Sequence, residues 1–176
     1  MRFGLKLSTA ILLACAGAPA AAQGSDAYAR AWETAERADP NAATCRDKSG
    51  DEAIAGCTAA IQSGKLSGIS LAIVYFGRGF EYQGQENTAR AIADYGEAIR
   101  LDREKVGAFF NRGALYFLQE DYTRAIADYD EVIRINPREA SAFRTRGWAK
   151  RRLGKTAEGD ADVAQACKLD SEYCEK

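Results

Sequence analysis

Residues 72–105 and 106–139 are two consecutive copies of one 34-residue pattern, and this repeat restricts the fold more tightly than any other feature of the chain. Laid over each other, the copies agree at 15 of 34 positions, including an unbroken Arg-Ala-Ile-Ala-Asp-Tyr at 90–95 and 124–129. Unrelated stretches would agree at about two or three positions, from the usual frequency of any one residue type. Repeated units of this length bury their apolar faces against their neighbours, so the copies must stack.

Each copy divides into two amphipathic stretches. In the first, Tyr75, Gly79 and Tyr82, then Phe109, Gly113 and Tyr116, are spaced to share one face of a helix in the order bulky, small, bulky. In the second, Ala91, Tyr95 and Ala98, then Ala125, Tyr129 and Val132, make a small, bulky, small face. Large side chains then meet small ones, and the two helices can pack closely. Asn87 and Asp121 are placed to cap the second helix of each copy, and Pro137 to stop the last one.

Period 34 together with Gly79 and Gly113, Tyr82 and Tyr116, Ala91 and Ala125, Tyr95 and Tyr129, and Pro137 resembles the tetratricopeptide repeat. The resemblance implies an all-α, right-handed α-solenoid. Residues 140–173 continue the register as a divergent terminal copy, keeping Phe143, Arg146, Gly147, Ala166 and Leu169 but placing Lys150, Gly159 and Val163 where the earlier copies have Tyr, Ala and Tyr. Residues 23–71 read as a degenerate helical cap. Within it Ser25 to Ala38 forms a helix capped by Ser25 or Asp26, with Tyr28, Trp32 and Ala35 on one face. Residues 41–50 form a loop, and Asp51 to Ser63 a second helix. About eight helices are expected in all.

Residues 1–22 have the layout of an export signal: Arg2 and Lys6, an apolar run from Leu7 to Ala18, and a small-residue cleavage site before Gln23. The apolar run is shorter than the roughly 20 residues a membrane span requires. Leu12-Leu13-Ala14-Cys15 also resembles a bacterial lipobox, which would lipidate Cys15. The expected location is therefore the periplasm or the exterior. An export signal, a cysteine-bearing cap and such repeats together resemble small exported bacterial tetratricopeptide proteins.

Removing residues 1–22 leaves 22 basic against 25 acidic residues, a net charge of −3 that argues against a nucleic-acid partner. It also leaves four cysteines: Cys45, Cys57, Cys167 and Cys174. Pairing each with its neighbour, Cys45 with Cys57 and Cys167 with Cys174, suits an oxidising compartment and clamps both ends of the stack. A metal site is disfavoured because the chain has no histidine and neither pair has the short spacing of structural zinc. The same lack of histidine removes the usual triads and imidazole bases, and no Gly-rich phosphate loop is present, so neither an enzyme nor a cofactor is expected.

Arg78, Arg112 and Arg146 recur in register, each followed 16 residues later by Asp94, Asp128 and Asp162. The pattern predicts structural ion pairs between first and second helices, within a repeat or across to the next.

What remains is a binding surface. In the resembled family the first helices line a concave face. Here that places Phe76, Phe80, Phe110, Asn111 and Phe117 along an apolar stretch and Arg144, Trp148 and Arg151 along a basic one. Phe110 and Phe117 fit the shared core between repeats equally well. Chaperone-binding members clamp a C-terminal carboxylate with Lys and Asn, Asn, then Lys and Arg; only Asn111 matches, whereas Phe76, Phe80, Ser141 and Thr145 do not. The expected function is a non-catalytic protein–protein interaction module with a protein or peptide partner. The alternative is a homo-oligomer assembled through the aromatic surface.

Overall fold

A computed structural model describes residues 22–174. The export signal and Cys15 lie outside the described residues, except that Ala22 is already the first residue of a helix. The described residues form nine α-helices: α1 (Ala22–Ala38), α2 (Asn41–Asp47), α3 (Gly50–Gln62), α4 (Gly68–Gly84), α5 (Thr88–Leu101), α6 (Val106–Leu118), α7 (Tyr122–Ile135), α8 (Ala140–Arg152) and α9 (Thr156–Leu169). A short 3-10 turn, Ser171–Tyr173, follows. Consecutive helices pack as antiparallel hairpins, α4 with α5, α6 with α7 and α8 with α9, and each hairpin stacks on the one before it through α3–α4, α5–α6 and α7–α8. The result is an all-α solenoid.

The turns inside the hairpins follow from their hydrogen bonds. After α4, the Glu86 amide donates to the Gln83 carbonyl (3.0 Å) and the Asn87 amide to that of Tyr82 (2.8 Å), a Schellman closure with Glu86 in the left-handed region at φ 59°. Glu120 repeats this at φ 62°, and the third copy has Gly154 there at φ 80°. Glycine adopts that conformation without the Cβ clash that costs an L-residue roughly 1–2 kcal/mol. Asn87 and Asp121 then cap the next helix, their side chains accepting from the Arg90 and Arg124 amides.

The small-against-large expectation holds inside each hairpin. A Cβ on Gly79 would stand 3.1 Å from the Tyr95 ring, and one on Gly113 would stand 3.3 Å from that of Tyr129. Both tyrosines are fully buried. In the third copy the contact is closer still, because Gly147 meets Gly159: a Cβ on Gly159 would lie 2.5 Å from the Gly147 carbonyl oxygen.

The Arg–Asp ladder runs within repeats. Arg78 donates to both carboxylate oxygens of Asp94 (2.8 and 2.9 Å), Arg112 to those of Asp128 (2.9 and 2.7 Å), and Arg146 to those of Asp162 (2.8 and 2.6 Å). Each Arg thus ties the first helix of a hairpin to the second with a planar two-pronged bond. The third guanidinium nitrogen reaches back to the preceding hairpin. Arg78 Nη1 donates to Thr58 Oγ1 (3.1 Å), and Arg146 Nη1 to Asp130 (2.6 Å). At the corresponding place beside Arg112 stands Gly96, whose missing Cβ would sit 3.6 Å from Nη1. Gly96→Asp should therefore give Arg112 a second acceptor and remove a helix-interior glycine, raising stability by about 0.5–1.5 kcal/mol in urea denaturation.

Two expectations for the cap are corrected. Residues 41–47 are a helix, not a loop: Pro40 sits before it with φ −59°, and Ala42 and Cys45 on its inner face are buried. Helix α1 begins at Ala22, so Ser25 and Asp26 lie inside it rather than capping it. The structure joins Cys45 to Cys57 and Cys167 to Cys174, with Cα atoms 4.5 and 4.4 Å apart. The first bond is buried and ties α2 to α3; the second, more exposed, ties the 3-10 turn to α9.

Candidate peptide-binding groove

The first helices of the three hairpins, α4, α6 and α8, carry the residues expected to face a ligand, and the structure divides them into open and closed positions. Phe80 is the most open, with 53% of its surface exposed. Phe76 is half-buried, its ring 5.6 Å from that of Tyr95 and pressed against Gly107. Phe110 and Asn111 are not available: they retain 5% and 4% exposure. Phe110 packs edge-on against Tyr129 (5.5 Å), and Asn111 donates to the Tyr95 hydroxyl (3.2 Å). Their neighbours in the stack close over them, which makes both part of the inter-repeat core. Phe117 lies between these cases, half-buried against Tyr122 at 5.2 Å. Ser141 and Thr145 are also buried, donating to Glu139 and to the Ser141 carbonyl.

The basic end is equally engaged. Arg144 is layered between Trp148 and Tyr173, its guanidinium carbon 4.7 and 4.3 Å from the two rings. Arg151 pairs with Asp160 at 2.7 Å. Lys150 reaches Asp162 at 2.8 Å. Burial disfavours the Asp162 carboxylate, but hydrogen bonds from Arg146 and Lys150 outweigh that and hold its carboxyl below the usual range. At Asp128, which has Arg112 alone, burial prevails and the carboxyl is pushed up.

Both ends of the described residues fold onto this face. The 3-10 turn brings Tyr173 over Arg144. Helix α1 crosses α4: Ser70 Oγ donates to the Ala31 carbonyl (3.3 Å), and the Tyr28 hydroxyl donates to Asp102 (3.0 Å) across 74 residues of sequence. Between α1, α2 and α4 the crossing leaves an open groove of about 300 Å³. Trp32, Phe76 and Phe80 line it, with Ile73 and Gly77, and its charged residues are Arg46, Glu81 and Lys105. Arg46 is paired with Glu36 and Asp47, and Glu81 accepts from the Gly50 amide at 2.6 Å.

Lys105 differs. Its ammonium lies 3.6 Å from the centre of the Tyr28 ring and 4.6 Å from that of Phe76. The carboxylate whose charge it feels, Asp102, already accepts from the Tyr28 hydroxyl and the Glu104 amide, both at 3.0 Å. Burial pushes the Lys105 ammonium down to about 8, with Asp102 opposing. Lys105, Tyr28 and Trp32 are site-formers that the sequence did not single out; only the shared helical face of Tyr28 and Trp32 pointed toward them.

Among the described residues no cluster of three or more His, Cys, Asp or Glu could hold a metal ion. Nor is any helix long and apolar enough to cross a membrane.

Helical hairpins stacked in register, with first helices forming one face and Arg–Asp pairs tying each hairpin together, define a helical-repeat solenoid. The tetratricopeptide-repeat profile matches residues 72–105 and, in a second form, 106–139; the chain is a tetratricopeptide-repeat protein. Among solved structures, the second such domain of Spaghetti (RPAP3), bound to the HSP90 peptide SRMEEVD, is 27% identical, with 64% of this chain and 99% of that chain covered and a TM-score of 0.56. The Arabidopsis OM64 repeat domain is 23% identical over 59% of this chain and 86% of its own, with a TM-score of 0.57. A crystal structure of MamA is 20% identical over 85% and 92%, with a TM-score of 0.67. No protein of curated function matches the chain.

Proposed function

We propose that this protein is a non-catalytic interaction module of the cell envelope that binds a peptide or protein segment along its concave face. The observation that carries the reading is Phe80, a large aromatic side chain left open on that face beside a groove whose other walls are already built. An exposed aromatic at the lip of a preformed groove is the kind of anchor on which binding energy concentrates. A related repeat domain holds a peptide, which supports the same class of ligand here. The carboxylate clamp of chaperone-binding members is not carried over, because Phe76, Phe80, Ser141 and Thr145 stand at its places and Asn111, the one match, donates to Tyr95 inside the fold. The envelope location rests on the signal-like residues 1–22 and on the two cysteine pairs.

The test is cross-linked capture from the envelope fraction, with the parent and two variants, followed by light scattering of the purified chain. Phe80→Ala should weaken capture with little dependence on salt, and Arg151→Glu should weaken it more at low salt than at high. A partner held equally by all three uses another face. A stable dimer at low concentration, with no partner captured, replaces the reading with self-assembly through the aromatic surface.

A further inference from the structure

Lys105 is a half-buried cation with two aromatic rings against it and no carboxylate in ion-pair contact among the described residues. Its charge is held at a cost to the fold, since burial lowers the ammonium to about 8 from its ordinary 10.5. A cation kept under those conditions at the lining of a groove marks a place where an incoming anion can be the missing partner. The same groove presents Trp32 and the exposed Phe80. Its volume of about 300 Å³ is at the lower end for ligand pockets and has room for one or two side chains.

We infer that this groove, between the N-terminal helix and the first repeat, takes a peptide segment in which an apolar side chain is followed directly by a carboxylate. The apolar group lies against Trp32 and Phe80, and the carboxylate meets Lys105. Glu81, fixed by its bond to the Gly50 amide, excludes acid from its own side and sets the direction of the segment. Arg46, bound to Glu36 and Asp47, has its charge already answered and leaves Lys105 as the reader. The inference deepens the reading of the protein as a peptide-binding module and depends on it.

The experiment uses fluorescence anisotropy of the full chain with a fluorescein-labelled peptide, Gly-Ser-Leu-Phe-Asp-Asp-Ser-Gly, and a control with both Asp replaced by Asn. The Asp peptide should bind the parent at least about tenfold more tightly than the Asn peptide, the scale of one desolvated charge pair. Lys105→Met should lose that preference, leaving the two peptides alike, whereas Lys105→Arg should keep most of it. Raising the pH from 7 to 9 should weaken the parent, whose lysine deprotonates, and spare the Lys105→Arg variant, which stays charged. The other charged groups near the ammonium and the groove are Asp102, Glu104, Arg46 and Glu81, together with the Tyr28 hydroxyl.

Equal binding of Asp and Asn peptides, unchanged binding by Lys105→Met, or no binding of the Asp peptide to the parent overturns the inference. If the Asp peptide binds parent and Lys105→Met alike but is weakened by Arg151→Glu, the acid is read at the third repeat. The module reading then stands without this subsite. The capture experiment judges the module reading independently of all three outcomes.

Discussion

Gly159→Ala should destabilise the protein by about 1–2 kcal/mol net, although it restores the residue that both earlier copies have at this place. In a helix interior the substitution alone would favour the fold by roughly 1 kcal/mol. Here the new methyl would stand 2.5 Å from the Gly147 carbonyl oxygen and 3.1 Å from the Arg151 amide nitrogen. Backbone cannot yield as a flexible side chain can, so α8 and α9 must move apart, and overpacking of that kind costs about 1–3 kcal/mol or more. The measurement is the urea midpoint of the full chain. The comparison is Gly84→Ala, where an added Cβ meets nothing within 4 Å and stability should change little.

Arg112→Leu carries the second large effect, a loss of about 2–4 kcal/mol. Asp128 retains only 4% exposure and would keep its burial while losing both hydrogen bonds. Breaking one side of a buried pair costs about 3–5 kcal/mol, reduced here because Arg112 itself is partly open to water. Arg112→Leu combined with Asp128→Leu should recover much of the loss, since no buried charge is then left alone. The pH dependence has a definite sign. Burial already raises the Asp128 carboxyl above its unfolded value, and removal of Arg112 raises it further. The native state then holds a proton that the unfolded chain has released, so the deficit of Arg112→Leu should shrink as pH falls from 7 toward 4. A deficit that stays constant between pH 7 and 4 would place the carboxylate in water, out of reach of Arg112.

The repeats were legible because one packing solution is written twice. Tyr95 and Tyr129 opposite Gly79 and Gly113, and the Arg–Asp pairs, each depend on residues that recur at the same offset, so register alone exposes them. Positions that occur once were harder. Helix α2 reads as a loop because Asn41, Thr44 and Asp47 favour turns; it is held helical by burial of Ala42 and by the bond from Cys45 to Cys57. The closing of Phe110 and Asn111 was half visible, since a phenylalanine at that spacing suits either a groove or a core, and only the approach of the neighbouring hairpin decides. The crossing of α1 over α4 had no signal. Tyr28 and Asp102 are 74 residues apart, and no periodicity links them. Nothing in the repeat pattern singles out Lys105, the last residue of the first copy, while in the fold it is the cation beside Tyr28 and Phe76.

Binding along the concave face is tested most directly by where a partner touches. A photoreactive phenylalanine analogue placed at Phe80, or at the exposed Ala93 on α5, can be activated in intact cells and the cross-linked species mapped by mass spectrometry. Position 80 should capture a peptide segment of another protein, and position 93 should not. Capture from position 93 with none from position 80 would contradict a concave binding site.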